Sequence, residues 1–166
     1  KEAPNNNNDR ACTELSQAKN YLVLLNPEAF SSKESYIASL AASNYDLLII
    51  DAYYGDSMLT PQDVARLQYK PGGSRRLVAS YMSVGEAEDY RPYWQSQWET
   101  NPPDWMWIAN GDWEGNYRVR YWSKDWQKML MGSPQSYLDQ ILAAGFDGAF
   151  LDVIDVFYVF EDIANQ

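Results

Sequence analysis

Four short apolar runs punctuate the chain, and helical spacing recurs between them. The runs are Tyr21 to Leu25, stopped by Asn26-Pro27, then Leu47 to Asp51, Leu77 to Met82, and Gly148 to Val153. None alternates cleanly between apolar and polar residues, which is the pattern of strands buried on both faces, as in a parallel sheet. Ser32 to about Ala42 predicts a helix with Tyr36, Ile37, Leu40 and Ala41 on one face. Thr60-Pro61-Gln62-Asp63 opens another: Thr60 caps it, Pro61 suits its first position, and Asp63 favours its positive end. Ser133-Pro134 starts a third by the same device, with Tyr137, Leu138, Ile141 and Leu142 as its apolar face and Gly145 closing it. Phe157 to Ala164 begins a fourth. This alternation implies an α/β fold with parallel strands and helical crossovers, as either a doubly wound sheet or a closed barrel.

Two stretches break the pattern. Lys1 to about Arg10 contains Pro4 and four consecutive asparagines with nothing to bury, so residues 1–14 read as a disordered leader and 15–166 as one domain. Tyr90 to Trp126 is long, aromatic and irregular, holds all 7 Trp, and includes a short strand at Arg118 to Trp122. A loop region of that length with so many large rings reads as functional rather than disordered.

Composition narrows the chemistry. The net charge of −10 argues against nucleic acid and against an anionic membrane surface. There is no histidine, so neither a Ser-His-Asp or Cys-His arrangement nor a His-rich zinc site can be built, and Asp, Glu, Tyr and Lys remain as acid–base groups. Cys12 is the single cysteine, expected as a surface thiol. No run approaches the roughly 20 apolar residues of a membrane helix, so no membrane insertion is expected. The chain opens on Lys1 rather than Met, which leaves room for a removed secretion signal.

The acids fall in a telling place. Asp51 ends the second run; Glu86, Glu88 and Asp89 follow the third; Asp152 ends the fourth, with Asp155 three residues on. In a parallel barrel, strand C-terminal ends share the mouth where enzyme sites lie. A single such Asp is more often a turn or cap residue, but acids after three strands of four favour a site. Asp147 precedes its strand and belongs to a turn at the opposite end. Two carboxylates are the minimum for cleaving a glycosidic bond. Metal binding by the same acids is a rival, although no calcium-hand or phosphate loop is present.

Ser80 to Arg91 (SYMSVGEAEDYR) resembles the Y-x-S-x-G-x-x-E-D-x-R segment of glycoside hydrolase family 114, and Gly145 to Asp155 (GFDGAFLDVID) is similar to its G-x-D-G-x-x-x-D-x-x-D segment. Trp122 to Trp126 matches a tryptophan-bearing stretch of its bacterial branch. The resemblance implies a TIM-type barrel with about four of eight βα units present, so that the chain corresponds to an N-terminal half. It implies hydrolysis of α-1,4-linked galactosamine polymers, a secreted, periplasmic or cell-surface location, and no cofactor. It makes Asp152 the nucleophile; within this chain Glu86 or Glu88 would have to serve as the catalytic partner acid, and Glu88 is the one taken as catalytic. Asp51, Tyr53, Tyr81, Glu86, Asp89, Trp122 and Asp155 become substrate contacts, and Trp94 and Trp107 further stacking faces. The partner acid of such barrels comes from a later strand, so the chain is expected to be inactive alone and to pair with a second copy or the missing half-barrel. The alternatives are a non-catalytic glycan-binding barrel fragment and a metal-dependent hydrolase.

Overall fold

The computed structural model describes residues 4–164. The chain divides into two compact units: residues up to Tyr81 together with Ile141–Phe150, and Met82–Gln140 together with Leu151 onward.

The first unit contains β1 (Tyr21–Leu24), α1 (Lys33–Ala41), β2 (Leu47–Ile50), a small hairpin of β3 (Tyr53–Tyr54) and β4 (Ser57–Met58), and α2 (Pro61–Leu67). It also holds the first part of β5 (Leu77–Ser83) and of a late strand, Gly148–Asp152. Ser32 caps α1 by accepting from the Ser35 N–H, and Thr60 and Asp63 form a reciprocal capping box on α2. Tyr36, Ile37 and Leu40 of α1, Val64 and Leu67 of α2, and Leu48, Ile49, Ile50 and Val78 of the sheet form the core. Two ion pairs, Lys33–Asp63 at 2.8 Å and Arg66–Glu34 at 2.7 Å, link α1 to α2.

The second unit contains β6 (Glu86–Glu88), β7 (Met106–Ala109), β8 (Asn116–Val119), α3 (Lys124–Leu130), most of α4 (Tyr137–Ala143), the end of β9 (Gly148–Asp152) and α5 (Phe157–Ala164). The strand expected near Arg118 is therefore the middle of an antiparallel sheet ordered β6-β8-β7, with Glu86 opposite Arg118 and Glu88 opposite Asn116. Helix α3, not foreseen, is anchored by Trp126, which is fully buried. Helix α4 starts at Tyr137 rather than at Ser133-Pro134. Those residues form a turn in which the single Ser136 hydroxyl proton is placed between the Ser133 carbonyl and the Asp139 carboxylate as alternative acceptors, so the capping signal lies one turn before the helix it serves.

The principal sheet is ordered β1-β2-β5-β9. Strands β1, β2 and β5 pair in parallel, and hydrogen bonds from Asp147 N to Val78 O and from Val84 N to Asp152 O rise together along β5 and β9. That spatial order is the chain order. A doubly wound sheet would reverse direction at a switch point, whereas a barrel adds each strand beside the last. The fold is thus α/β, parallel (β/α) of the TIM-barrel type, with four βα strands. The outermost strands carry exposed apolar side chains, Tyr21 and Val23 on β1 and Phe150 and Leu151 on β9.

The N-terminal residues are held at several points. Residues 8–12, expected within a disordered leader, are fastened: the buried Lys70 ammonium donates to the Asn8 and Arg10 carbonyls at 3.0 Å, and the Cys12 N–H donates to the Arg75 carbonyl. Cys12, expected at the surface, is buried, and burial raises its thiol above the ordinary range. The anchor is the Lys70–Asp46 pair, 2.5 Å apart and fully enclosed. Burial alone would raise Asp46, but hydrogen bonds from Lys70, the Lys19 N–H and Asn8, with the lysine charge, hold its carboxyl below the usual range. Nearby, the buried Arg76 guanidinium gathers the carbonyls that end both helices: Ala41 and Ser43 after α1, Leu67 and Tyr69 after α2. Helix C-termini leave carbonyls unpaired and favour a cation. Burial lowers this guanidinium to about 10, which leaves it charged at neutral pH. Asp147 serves the turn before β9, as expected, accepting from the Val78 N–H and pairing with Arg75.

Candidate active site

The acids after β5 divide by the way β6 packs. Glu86 and Glu88 lie two residues apart and therefore on one side of the strand. Both are buried, at 3% and 1% exposure. Each is fully engaged. Glu86 accepts from Asn110 Nδ2 (2.8 Å) and Asn116 Nδ2 (3.1 Å), with Arg118 3.9 Å away. Glu88 accepts from Arg91 Nε and from the Tyr90 hydroxyl, both at 2.7 Å, while its own N–H donates to the Tyr93 hydroxyl. Tyr90 Oη also lies 3.3 Å from Asn116 Oδ1, an alternative acceptor for the same proton, so the surroundings of the two carboxylates meet at Tyr90 and Asn116. Burial, followed by the Glu88 charge, pushes the Tyr93 phenol well above its ordinary value, so it stays protonated.

This arrangement changes the expected role of Glu88. A proton donor must reach the leaving oxygen, and this carboxylate is enclosed, with a guanidinium on one oxygen and a hydroxyl on the other. It holds the loop that follows β6. Asp89, next in sequence, is exposed. Its N–H donates to the Gly115 carbonyl, and its carboxylate fills the space beside Gly115, where a Cβ would lie 2.7 Å from Oδ1. Burial, then the charges of Glu99 and Glu114, raises Asp89 above the usual carboxyl range.

Asp152 is the last residue of β9. Its carbonyl accepts from the Val84 N–H, two residues before Glu86, while its carboxylate is exposed and makes no hydrogen bond among the described residues. Asp155 is also exposed, in the single 3-10 turn Ile154–Val156. Trp122 is 51% exposed and lies edge-on to Phe160 at 4.7 Å and to Tyr121 at 5.0 Å. Trp107, 43% exposed, joins the same cluster through Phe160 at 6.1 Å and carries the Arg120 guanidinium 4.5 Å over its ring. Trp94, by contrast, is stacked on Tyr117 and set against Trp98, within an internal aromatic network.

The remaining residues singled out from the sequence lie in the first unit. Asp51 is half-buried just past β2, and its Oδ1 accepts from the Tyr53 N–H at 2.9 Å, a turn-forming bond. The Tyr53 side chain, expected to meet substrate, is 7% exposed and packed in the β3–β4 hairpin. Tyr81 is half-buried on β5. Among the described residues, no three His, Cys, Asp or Glu side chains come together as a metal-holding group. The Glu88 arm of the metal site considered from sequence is taken by Arg91.

Sequence reasoning missed Asn110, Asn116, Tyr90, Arg91 and Tyr93. Arg91 could have been found, since it stands three residues after Glu88 in a turn. The asparagines could not: they reach Glu86 across 24 and 30 residues of chain with no local signature.

A model of glycoside-hydrolase family GH114 matches residues 16–166. The chain belongs to that family. This GH114 chain is similar to uncharacterized proteins of Methanocaldococcus jannaschii, 38% identical over 87% of this chain and 40% of that protein, and Thermotoga maritima, 34% identical over 71% of this chain and 35% of that one. Two solved structures share the fold. One is Ega3 of Aspergillus fumigatus, in complex with galactosamine, with a TM-score of 0.57 and 20% identity over 91% of this chain and 51% of that one. The other is the glycoside hydrolase domain of PelA from Pseudomonas aeruginosa, with a TM-score of 0.50 and 18% identity over 84% and 46%. This GH114 chain therefore spans about two-fifths of the length of the curated relatives and about half of the solved ones.

Proposed function

We propose that this GH114 chain carries the nucleophile-bearing part of a glycoside hydrolase acting on an α-linked amino-sugar polymer. The observation that carries the reading is the contrast between acids. Glu86 and Glu88 are consumed by internal bonds, whereas Asp152, at the C-terminal end of a parallel barrel strand, presents an exposed carboxylate that makes no hydrogen bond among the described residues. Strand ends of that kind supply barrel chemistry. In the reaction, Asp152 attacks the anomeric carbon as the bond to the leaving oxygen breaks. A partner acid protonates that oxygen, and water then releases the sugar from Asp152. The partner acid is assigned to the stretch of the relatives that this chain does not span, not to Glu88.

The amino-sugar assignment is supported by the galactosamine bound to Ega3 and by the charge of −10, which suits a polymer that is cationic where deacetylated. Trp122 and Trp107 offer flat faces for sugar rings. Asp51, Asp89, Asp155 and Tyr81 are proposed substrate contacts. Tyr53 and Glu86 are proposed to act from behind, as supports. A secreted, periplasmic or cell-surface location follows from a polymeric substrate. Among the described residues no helix is long and apolar enough to cross a membrane. The exposed apolar residues of β1 and β9 are proposed to be covered by further βα units or a second copy.

The test is turnover of a panel of amino-sugar polymers by the longest natural polypeptide that contains this sequence. Asp152→Asn should abolish hydrolysis and leave the melting temperature within a few degrees. Undiminished hydrolysis by that variant removes Asp152 from the reaction. A second reading, glycan binding without cleavage, is favoured by the engagement of Glu88. Retention of the polymer with no product from the parent protein would select it.

A further inference from the structure

The residue after Asp152 has a backbone that its side chain does not favour. Val153 sits at φ 57° and ψ 33°, in the left-handed region. Asn6 is the other non-glycine residue there among the described residues, and asparagine tolerates that conformation. A β-branched valine does not, because its Cβ crowds the neighbouring carbonyl. Strain of this kind persists only where the surroundings impose it.

The surroundings are explicit. Val84 N donates to the Asp152 carbonyl at 3.0 Å, and Val84 O accepts from the Trp126 indole at 2.9 Å, so the two successive peptide groups flanking Val84 Cα are each held by a hydrogen bond. Gly85 O accepts from the Val119 N–H at 3.1 Å, which ties it to β8. A Cβ on Gly85 would stand 2.2 Å from the Val153 carbonyl oxygen and 2.8 Å from Val156 Cβ. The turn after β9 therefore occupies the space that a side chain at 85 would fill, and Val156, buried, closes it from the other side. Among the described residues no side chain or backbone group bonds the Asp152 carboxylate, and this backbone sets its direction.

We propose that Val153 and Gly85 are positioning residues, forming a strained elbow that aims the Asp152 carboxylate. This rests on the reading that Asp152 reacts with the sugar. The left-handed residue ends β9 abruptly and leaves Asp152 on the shoulder of the turn. The missing side chain at 85 allows the elbow to seat, and the held peptide groups flanking Val84 keep it from relaxing. A turn with no such duty would be made more cheaply by glycine at 153.

The experiment measures kcat, KM and melting temperature on an amino-sugar polymer, in the longest natural polypeptide containing this sequence, for Val153→Gly, Val153→Asn, Gly85→Ala and Asp152→Asn. Val153→Gly should melt no lower than the parent, yet lose about tenfold in kcat with KM within about twofold, since a small misplacement of a reacting group costs rate rather than binding. Val153→Asn, which accepts the left-handed backbone and keeps a Cβ, should restore most of that loss. Gly85→Ala should lose kcat per folded molecule as well as stability. If Asp152→Asn is inactive while Val153→Gly keeps parental kcat, the elbow is overturned and the reading of Asp152 stands. If Asp152→Asn retains turnover, or the parent has none, that reading falls and the elbow with it.

Discussion

The Arg91 guanidinium lies 2.7 Å from the Glu88 carboxylate, and both side chains are buried. The pair engages Glu88, a residue of the GEAEDYR segment singled out for chemistry, in an internal bond. Arg91 also stands over the Tyr90 and Tyr137 rings, 5.2 and 5.6 Å from their centroids, so one cation ties the segment to the start of α4.

Removing one partner of a buried pair leaves the other charge uncompensated, at a cost of about 3–5 kcal/mol. Arg91→Met should therefore lower the melting temperature by roughly 6–20 °C for a chain of this size. Glu88→Gln, which keeps shape and hydrogen bonding, should cost less. Calorimetry or circular dichroism checks both.

The Lys70–Asp46 pair predicts an acid-sensitive anchor. Asp46 is held below its ordinary carboxyl value, so its contribution to stability is complete above about pH 4 and is lost as pH falls through the depressed value. Asp46→Asn should remove this acid dependence, and Lys70→Met should destabilise the fold by about 3–5 kcal/mol. Limited proteolysis is the direct readout. Cleavage around Asn8 to Cys12 should rise in Lys70→Met at neutral pH, and in the parent only under acid.

Two tryptophans separate binding from folding. Trp122 is half in solvent, and Trp122→Ala should leave the melting temperature nearly unchanged while raising KM about two- to twelvefold, the worth of one aromatic contact. Trp126 is fully buried with its indole on Val84. Trp126→Ala should cost about 3–5 kcal/mol, visible in a denaturant titration.

The open strands predict association. Tyr21 and Val23 on β1 and Phe150 and Leu151 on β9 leave apolar side chains at the ends of the strand order, and unpaired sheet edges recruit other chains. The 166-residue chain alone should show a concentration-dependent rise in mass by light scattering. Leu151→Lys, which places a charge on the β9 edge, should suppress it.

Much of the frame was legible in the residues. The apolar runs at 21, 47, 77 and 148 are the four parallel strands: the inner two are largely covered, and the outer two keep the same apolar composition although part of it is exposed. Ser32 and Thr60 cap their helices as read, since capping is local chemistry. Ser133-Pro134 misled for the same reason: the pair makes a good turn, and a turn there is satisfied without a helix. Strand β6 was hidden because its three residues include two glutamates, and the groups that satisfy buried Glu86 lie 24 and 30 residues away. The acids after β5 stand out in the sequence, yet sequence could not divide Glu88, buried, from Asp89, exposed. The N-terminal segment looked loose because its hold is through backbone carbonyls, which every residue type carries equally.

Arg76 binds the last carbonyls of α1 and α2 with one guanidinium. The first two strand–helix repeats are therefore not interchangeable bricks. A chimera that joins this chain to a relative anywhere between Ala41 and Arg76 severs a helix end from the residue that neutralises it, so viable crossovers in this region should fall outside that interval.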